Sequence, residues 1–227
     1  MPNLAHEQQL AAKRAVEEVR DGMLLGLGTG RTAGFAIHAI AARVTSGLRV
    51  RATATSNASH TLGASLGLAM LAFDDLARVD LTIDGADEID PQLRAIKGAG
   101  GALLREKVIA AASDRVIVIV DSSKPVAVLG HAKLPVEVLP FAAAFTASAV
   151  RGLGGVPELR LGADGAPYRT DNQGLIYDCA FGPIPDPATL AAALDAVPGI
   201  IGHGLFLREV DAVVVAQGEG VRMTERS

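Results

Sequence analysis

A stretch of eleven residues combines a basic side chain, a glycine-rich turn and a carboxylate. It begins at Lys97, ends at Lys107 and has the sequence KGAGGALLREK, with Glu106 early in a predicted helix. Glycines let the backbone turn tightly and bring N–H groups close to a ligand, and the helix adds the positive end of its dipole. This combination suits proton transfer on an anionic substrate. A tight connection followed by a surface Glu-Lys pair would show the same pattern, since glycine loops are common.

A second glycine loop, GTGRTA at residues 28–33, follows a short apolar run at 23–27 that predicts a buried strand. The loop nominally fits the dinucleotide fingerprint. A dinucleotide site also requires an acidic residue about 20 residues later, where the next strand ends. That strand ends in residues 53–56, which include no carboxylate. We therefore predict a cradle for a single phosphate or a sugar, with Thr29 and Thr32 as hydroxyl donors.

Four carboxylates follow another predicted strand, residues 79–83: Asp84, Asp87, Glu88 and Asp90. Carboxylate oxygens are the ligands that Mg²⁺ and Ca²⁺ prefer, so the cluster is compatible with a metal site. It is also compatible with a solvated turn. In a third interpretation, Asp84 and Asp87 orient substrate hydroxyls and transfer protons. The strand end and the two glycine loops favour a ligand site, but the pattern alone does not separate a metal site from proton transfer.

Composition limits the class of protein. The chain has 227 residues, of which 49% are apolar, so it is long enough for one large or two small domains with a substantial core. Its net charge of −4 and the lack of a basic run with interleaved aromatics argue against a nucleic-acid partner. No apolar run approaches the roughly 18 residues of a membrane span, and the N-terminus lacks the apolar core of a signal peptide. With Cys179 as its single cysteine, the chain is expected to be cytoplasmic.

Strand–loop–helix units recur through the first part of the chain and predict an α/β fold with a doubly wound, mostly parallel, Rossmann-like sheet. The pattern then changes to β-α-β-β-α-β, with a last strand at 200–206, which predicts a ferredoxin-like α+β domain. A further apolar run at 212–216 is placed back in the first sheet. We therefore expect a catalytic domain formed by residues 1–130 plus 205–227, with a small domain inserted at 131–204.

Taken together, the motifs resemble the ribose-5-phosphate isomerase family of type A, in order and over nearly the whole chain. The resemblance is carried by GLGTGRTA at 26–33, DGADE at 84–88, KGAGGALLREK at 97–107, DSSK at 121–124, LPVEV at 134–138 and GLF at 204–206. It implies interconversion of ribose 5-phosphate and ribulose 5-phosphate in the non-oxidative pentose phosphate pathway, without a metal or an organic cofactor. It also implies a homo-oligomer, either a dimer or a tetramer.

The resemblance assigns roles to individual residues. Glu106 would be the base that moves a proton between C1 and C2, and Lys97 would stabilise the enediolate oxygen. Asp84 would aid ring opening and proton transfer, and Asp87 would hold a hydroxyl. The substrate, above all its phosphate, would be bound by residues of the two glycine loops and of two strand ends: Thr29, Gly30, Arg31, Thr32, Gly85, Ala86, Gly98, Ala99, Gly100 and Lys124.

Three positions depart from the family pattern. Arg31 stands where a serine is usual, Ala99 where a glycine is usual, and Gln8 where we align a phosphate-facing lysine. Arg31 would restore the cation lost at Gln8, because a guanidinium binds phosphate well. The alternative is that Arg31 points to solvent and the affinity for phosphate is weaker. Ala99 is compatible with the loop only if its φ is negative, since a Cβ strains positive φ.

Two other classes of function are compatible with this fold group. One is a sugar-phosphate-sensing domain that binds without turnover, as in some transcription regulators, but the chain has no helix-turn-helix extension and carries Glu106. The other is an acyl or CoA transferase with a glutamate nucleophile, which usually has a longer chain. Formation of a ketose from ribose 5-phosphate separates the isomerase from both.

Overall fold

The computed structural model describes residues 3–226 of the chain. Its α-helices are Leu4–Val16 (α1), Arg31–Thr45 (α2), Asn57–Ser65 (α3), Leu103–Ala111 (α4), Ala143–Gly152 (α5) and Pro187–Asp195 (α6). Its strands are Leu24–Leu27 (β1), Arg51–Ala54 (β2), Ala69–Met70 (β3), Leu81–Gly85 (β4), Glu88–Ile89 (β5), Ala95–Ile96 (β6), Val116–Asp121 (β7), Leu134–Val138 (β8), Val156–Leu159 (β9), Leu175–Ala180 (β10), Ile200–His203 (β11), Leu205–Phe206 (β12), Ala212–Gln217 (β13) and Gly220–Glu225 (β14).

The first of two compact units contains the chain up to Ala86, Arg105–Pro125 and the chain from Arg208 onward. Its seven-stranded sheet has the order β14-β13-β7-β4-β1-β2-β3, and every pair is parallel except β13 with β14. The predicted doubly wound, mostly parallel sheet is therefore confirmed. The sequence analysis did not predict β14, which pairs along one edge of this sheet.

Helices cover both faces of this sheet. Leu25 and Leu27 of β1 belong to the same buried cluster as Ile37 of α2. Gly26, between them, faces the opposite side, because successive residues of a strand point to opposite faces. A Cβ at Gly26 would lie 2.9 Å from a methyl carbon of Ile109 in α4, so α4 packs closely on that side. The glycine is thus required for the contact between β1 and α4.

The second unit contains Asp87–Leu104 and Val126–Leu207. Its four-stranded sheet has the order β11-β8-β10-β9, and all three pairs are antiparallel. With α5 after β8 and α6 after β10, this arrangement is the predicted β-α-β-β-α-β ferredoxin-like fold. Its core is a separate apolar cluster that includes Leu134, Val136, Val150 and Leu194.

The sequence prediction of one strand at 200–206 was wrong. The strand is broken at Gly204, whose N–H donates to Pro135 (2.8 Å) and whose carbonyl accepts from the N–H of Lys97 (2.9 Å). After this break, β12 leaves β11 and joins a three-stranded sheet of order β12-β6-β5. The strands of this sheet have two residues each, which is too short for a periodic pattern.

The boundaries of the compact units differ from the predicted domain boundaries because of the same short strands, β5, β6 and β12. The predicted small domain, 131–204, lies within the second unit. That unit also includes residues 87–104, because β5 and β6 pair with each other and with β12. The boundary between the units therefore falls once inside α4, between Leu104 and Arg105. Within residues 3–226, no helix is both long and apolar enough to cross a membrane.

Candidate active site

The strand order of the first unit reverses between β1 and β4. From β1 the chain proceeds outward through β2 and β3, and it then returns to the other side of β1 as β4. Open α/β sheets bind ligands at such a switch point, outside the carboxyl ends of the strands. The loop of residues 28–30 follows β1, and Asp84 lies near the end of β4, so both lie at this point.

Asp84 is buried beneath the glycine loop, with a relative exposure of 2%. One of its oxygens, Oδ1, accepts hydrogen bonds from the N–H groups of Thr29 (3.0 Å) and Gly85 (2.8 Å). A Cβ at Gly28 would lie 2.0 Å from the same oxygen, so only glycine allows the loop to approach so closely. A Cβ at Gly85 would lie 3.7 Å from the Cβ of Thr32. These contacts bring the predicted residues of the two strand ends together.

The hydroxyl of Thr29 belongs to a network of hydroxyl groups that follow the end of β2. Its Oγ1 lies 2.6 Å from Oγ1 of Thr55 and 2.8 Å from Oγ of Ser56. Ser59 donates to the carbonyl of Gly28 (2.7 Å). The side chain of Ser56 also caps α3 by accepting from the N–H of Ser59. The network fixes the rotamer of Thr29. The next residue, Gly30, has a φ of 98°, and α2 begins immediately after it at Arg31.

Contacts of α4 place Glu106 at the same edge of the sheet. The residue before it, Arg105, donates from Nη1 to Oδ1 of Asn57 (3.0 Å), which is the first residue of α3. Three residues after it, Ile109 packs against Gly26 of β1. Glu106 has a relative exposure of only 4%. A nearly buried carboxylate near the carboxyl ends of β1 and β2 suits a role as a base.

A chain of polar contacts links Arg31, the first residue of α2, to Asp121 at the end of β7. Arg31 donates from Nε to Oε1 of Gln8 (3.0 Å), and Gln8 donates from Nε2 to Oδ2 of Asp121 (2.6 Å). Burial raises the pKa of Asp121, but hydrogen bonds from Ser123 and Gln8 and the charge of Lys124 outweigh it and hold this pKa below its usual value. Asp121 is therefore linked to the predicted cation Arg31 through Gln8, and it is also influenced by the charge of the predicted cation Lys124.

The remaining predicted residues belong to the second unit: Asp87, Lys97, Gly98, Ala99 and Gly100. Lys97 follows β6 and has a relative exposure of 4%. Its Nζ lies 5.4 Å from the centroid of the Phe206 ring, within the range of a cation–π interaction. Phe206 lies in the GLF motif at 204–206, and nothing local in the sequence predicted its contact with Lys97.

The glycine loop after Lys97 is shaped by two positive φ angles, 109° at Gly98 and 78° at Gly101. Among the described residues, non-glycine residues with positive φ are Leu93 and Gln173, so Ala99 meets the condition that the sequence analysis set for it. The N–H of Ala99 donates to Oδ2 of Asp87 (2.9 Å). Asp87 therefore fixes this loop in addition to any contact with a substrate.

The four clustered carboxylates have separate partners. Glu88 is buried and accepts from the N–H groups of Gly130 and Ala132, and Asp90 accepts from the backbone and side chain of Arg94. Across residues 3–226, no group of three or more His, Cys, Asp or Glu side chains is arranged to hold a metal ion. The buried, hydrogen-bonded positions of Glu88 and Asp90 show that the solvated-turn interpretation was wrong for these two residues.

Comparison with known proteins identifies the family. A sequence model described as ribose 5-phosphate isomerase A (phosphoriboisomerase A) matches residues 51–220. The chain belongs to this family. The ribose-5-phosphate isomerase A of Sphingopyxis alaskensis is 50% identical over 226 residues, which cover 100% of this chain and 99% of that one. The enzyme of that name from Parvibaculum lavamentivorans is 45% identical over 98% of this chain and 99% of its own length.

Solved structures of ribose-5-phosphate isomerases share the fold over the full chain. A D-ribose-5-phosphate isomerase in complex with phospho-erythronic acid superposes with a TM-score of 0.96 at 34% identity, covering 99% of this chain and 100% of that one. The ribose 5-phosphate isomerase A of Methanocaldococcus jannaschii gives a TM-score of 0.92 at 35% identity, with 97% and 98% coverage. The α/β fold with its small second domain is thus that of the isomerase family.

The buried carboxylate of Glu7, which was not identified from the sequence, also supports this fold. Oε2 of Glu7 accepts from the N–H (2.9 Å) and the hydroxyl (2.7 Å) of Ser122, and Oε1 accepts from the N–H of Gly218 (2.8 Å). These hydrogen bonds, of which that from Gly218 is the strongest influence, lower the pKa of Glu7. In the sequence, Glu7 is only an acidic residue within the predicted first helix. Such a residue is ordinarily expected on the solvent-exposed face of the helix.

Proposed function

We propose that this chain interconverts D-ribose 5-phosphate and D-ribulose 5-phosphate. The observation that carries the proposal is its full-length similarity to ribose-5-phosphate isomerases, at 45–50% identity for the relatives described above. The chemistry requires a positioned base, polar groups at the developing oxyanion and a site for the phosphate. The chain supplies a candidate for each of these three requirements.

The phosphate is bound, in this proposal, by the loop of residues 28–32. Uncapped N–H groups at the start of α2 and the hydroxyls of Thr29 and Thr32 suit an oxyanion, because a helix N-terminus favours negative charge. Arg31 and Lys124 add positive charge. The contact of Arg31 with Gln8 supports the idea that this guanidinium supplies the cation for which the family uses a lysine at the position of Gln8.

The proton is moved by Glu106. Its carboxylate takes the proton from C2 of the open-chain aldose, and the electron pair of that C–H bond forms the C1–C2 double bond of an enediolate while negative charge develops on O1. The same carboxyl group returns the proton to C1, and the proton of the C2 hydroxyl is transferred to O1, which yields the ketose. No atom is gained or lost. A positioned base of this kind typically contributes ~10²–10⁴-fold to the rate.

Lys97 stabilises the negative charge that develops on the enediolate oxygen. Asp84 aids ring opening and the transfer of the proton from the C2 hydroxyl to O1, and Asp87 holds a substrate hydroxyl. The burial of Asp84 and Lys97 supports these assignments, since electrostatic interactions are stronger where water is excluded. Loss of one donor to an oxyanion typically costs ~10²–10³-fold in kcat. Gly85, Ala86, Gly98, Ala99 and Gly100 complete the proposed contacts to the substrate through their backbones.

A homo-oligomer is part of the proposal. Phe141 and Phe145 of the second unit are 97% and 58% exposed, and Leu139 and Ile201 of the same unit are also exposed. Ile201 belongs to β11, an edge strand of the four-stranded sheet, and the N–H of Leu139 donates to Gly199, which immediately precedes this strand. A second copy of the chain would cover this apolar surface. Light scattering is expected to show a dimer or tetramer that Phe141→Asp dissociates, and an unchanged mass for that variant would exclude this surface as the interface.

The activity is tested by incubating the protein with ribose 5-phosphate and measuring the appearance of the ketose. We expect the same equilibrium mixture from either sugar phosphate, and little turnover of unphosphorylated ribose. Binding of ribose 5-phosphate without ketose formation would contradict the proposal and indicate a sensor. That alternative is not favoured by the relatives, which are named as isomerases. A cytoplasmic location, as expected from the sequence, remains part of the proposal.

A further inference from the structure

Arg160, which follows β9 in the second unit, holds the loop after Lys97 from one side. Its Nη1 donates to the carbonyl oxygens of Gly98 (3.0 Å) and Ala99 (3.1 Å). Its Nε and Nη2 donate to the two carboxylate oxygens of Asp178 in β10, at 2.9 and 2.5 Å. The side chain of Arg160 is only 14% exposed. One planar guanidinium thus joins a carboxylate of the sheet to two consecutive carbonyls of the loop.

Other contacts fix the same loop from further directions. The N–H of Ala99 donates to Asp87, and the carbonyl of Gly98 also accepts from the N–H of Gly101 (2.9 Å). Tyr168 has its ring centroid 5.9 Å from Cζ of Arg160. A Cβ at Gly101 would lie 2.4 Å from the hydroxyl oxygen of Tyr168, so the loop lies directly on this ring. The peptide group between Gly98 and Ala99 is therefore held on both its carbonyl and its N–H side, and the next peptide group is held at the carbonyl of Ala99.

The direction of these carbonyl groups matters for an anionic intermediate. A carbonyl oxygen carries partial negative charge and would oppose an enediolate if its peptide group rotated toward it. Glycine-rich loops rotate easily, because glycine has no Cβ to restrict φ. Arg160 draws both oxygens to itself, and Asp178 compensates its charge and keeps the guanidinium in one orientation. The loop that joins Lys97 to α4 is thereby kept in one conformation.

We propose that Arg160 is a positioning residue for the isomerase reaction, acting through the peptide groups of Gly98 and Ala99 on the placement of Lys97 and Asp87. This inference rests on the proposed function. A displacement of about 1 Å in groups that act on the transition state costs up to ~10²-fold in rate. The phosphate loop lies in the other compact unit, so binding of the substrate phosphate is expected to change little when Arg160 is altered.

The test is a comparison of Arg160→Lys with the wild type on ribose 5-phosphate. Lysine keeps the charge but not the planar fork, so we expect kcat to fall about 10- to 100-fold, with KM changed by less than about threefold. Asp178→Asn keeps Arg160 but weakens the ion pair that orients its guanidinium. We expect a smaller fall in kcat for this variant, again with little change in KM. For Arg160→Ala, millimolar methylguanidinium should restore part of kcat.

Lys133→Met is the matched control. It removes an exposed ion pair with Glu158 from the same sheet without touching the loop, and its kcat is expected to equal that of the wild type. If Arg160 has only a structural role, its variants will have a lower melting temperature, an unchanged kcat per folded molecule and no response to methylguanidinium. That outcome would overturn the inference while leaving the isomerase activity intact. Loss of the proposed function itself would appear as absence of turnover in the wild type.

Discussion

Nε of Arg31 lies 3.0 Å from Oε1 of Gln8, and this contact joins the two positions that depart from the family pattern around the phosphate. Gln8 is almost fully buried, whereas Arg31 is exposed. The amide oxygen of Gln8 accepts a hydrogen bond from the guanidinium, and the amide nitrogen donates a hydrogen bond to Asp121. Gln8 thus orients Arg31, which is the contact expected if this guanidinium replaces the lysine that the resemblance places at position 8.

Arg31→Ser is expected to raise KM for ribose 5-phosphate roughly tenfold or more, because a hydrogen bond to a charged group contributes ~1.5–3 kcal/mol. The double variant Gln8→Lys with Arg31→Ser should recover most of the affinity, since it returns the cation to position 8. Arg51→Ser is the control: it removes the same charge at the first residue of β2, away from the carboxyl ends of the strands. An unchanged KM for Arg31→Ser would refute the compensation.

The ring of Phe206 is expected to stabilise the Lys97 ammonium through its negative face. Replacing Phe206 with 3,4,5-trifluorophenylalanine keeps the shape of the ring but removes charge from that face. We predict a fall in kcat of about 2- to 30-fold, which corresponds to the ~0.5–2 kcal/mol of a cation–π interaction. The same replacement at Phe181 in the same unit should leave kcat unchanged. Equal rates for the two fluorinated proteins would show that the contact does not contribute to turnover.

Gly28→Ala should both destabilise the protein and damage the site. The new Cβ would lie 2.0 Å from Oδ1 and 2.6 Å from Cα of Asp84, so the strand ends must separate. We expect a loss of about 1–3 kcal/mol in the free energy of unfolding, as for other overpacked sites, and a large fall in turnover. Gly34→Ala, in α2, is the control.

At Gly34 the nearest atom to a new Cβ is a methyl carbon of Leu62, 4.0 Å away. That substitution is expected to stabilise by about 0.5–1 kcal/mol, since alanine favours a helix interior over glycine. Urea unfolding and turnover measured on both variants check the prediction. A Gly28→Ala protein as stable and as active as Gly34→Ala would contradict the observed approach of the loop to Asp84.

Glu7 is expected to contribute to acid denaturation. Hydrogen bonds from Gly218 and Ser122 hold its pKa below the ordinary 4.5. A carboxyl group with a lowered folded-state pKa stabilises the protein above its unfolded-state pKa, and this contribution is lost as the pH falls through the folded-state value. Glu7→Gln should therefore lower the stability at neutral pH and make the remaining stability fall less steeply below about pH 4.5.

The measurement is urea unfolding between neutral pH and the acid transition, for the wild type, Glu7→Gln and Glu17→Gln. Glu17 lies at the end of the same helix and is exposed, so its replacement serves as the control. Parallel pH profiles for the wild type and Glu7→Gln would show that the buried carboxylate does not contribute to the acid transition.

The large features of the fold were predictable because their patterns are long and regular. The alternation of apolar strands and amphipathic helices predicted the two larger sheets, and the glycine loop and Asp84 were each predicted at the carboxyl end of a strand. Strands of two residues, such as β5 and β6, have no period to detect. Their pairing with β12 is what assigns residues 87–104 to the second unit.

The supports of the site were not predictable for a different reason. Arg160 follows Gly98 by 62 residues and Gln8 precedes Asp121 by 113, and nothing local in the sequence indicates that these pairs meet. Phe206 and Lys97 likewise meet only because β12 pairs with β6. Types and spacing of residues thus identified the groups that suit the chemistry, whereas the residues that hold them depend on long-range pairing.

The central claim is that Glu106 transfers the proton between C1 and C2, and the most direct measurement is the turnover of ribose 5-phosphate by Glu106→Gln. The amide keeps the shape of the side chain but has no basicity, so the variant should fold with a melting temperature close to that of the wild type, bind the sugar phosphate and lose nearly all ketose formation, on the order of 10²-fold or more. Ketose formation by folded Glu106→Gln at the wild-type rate would contradict the account.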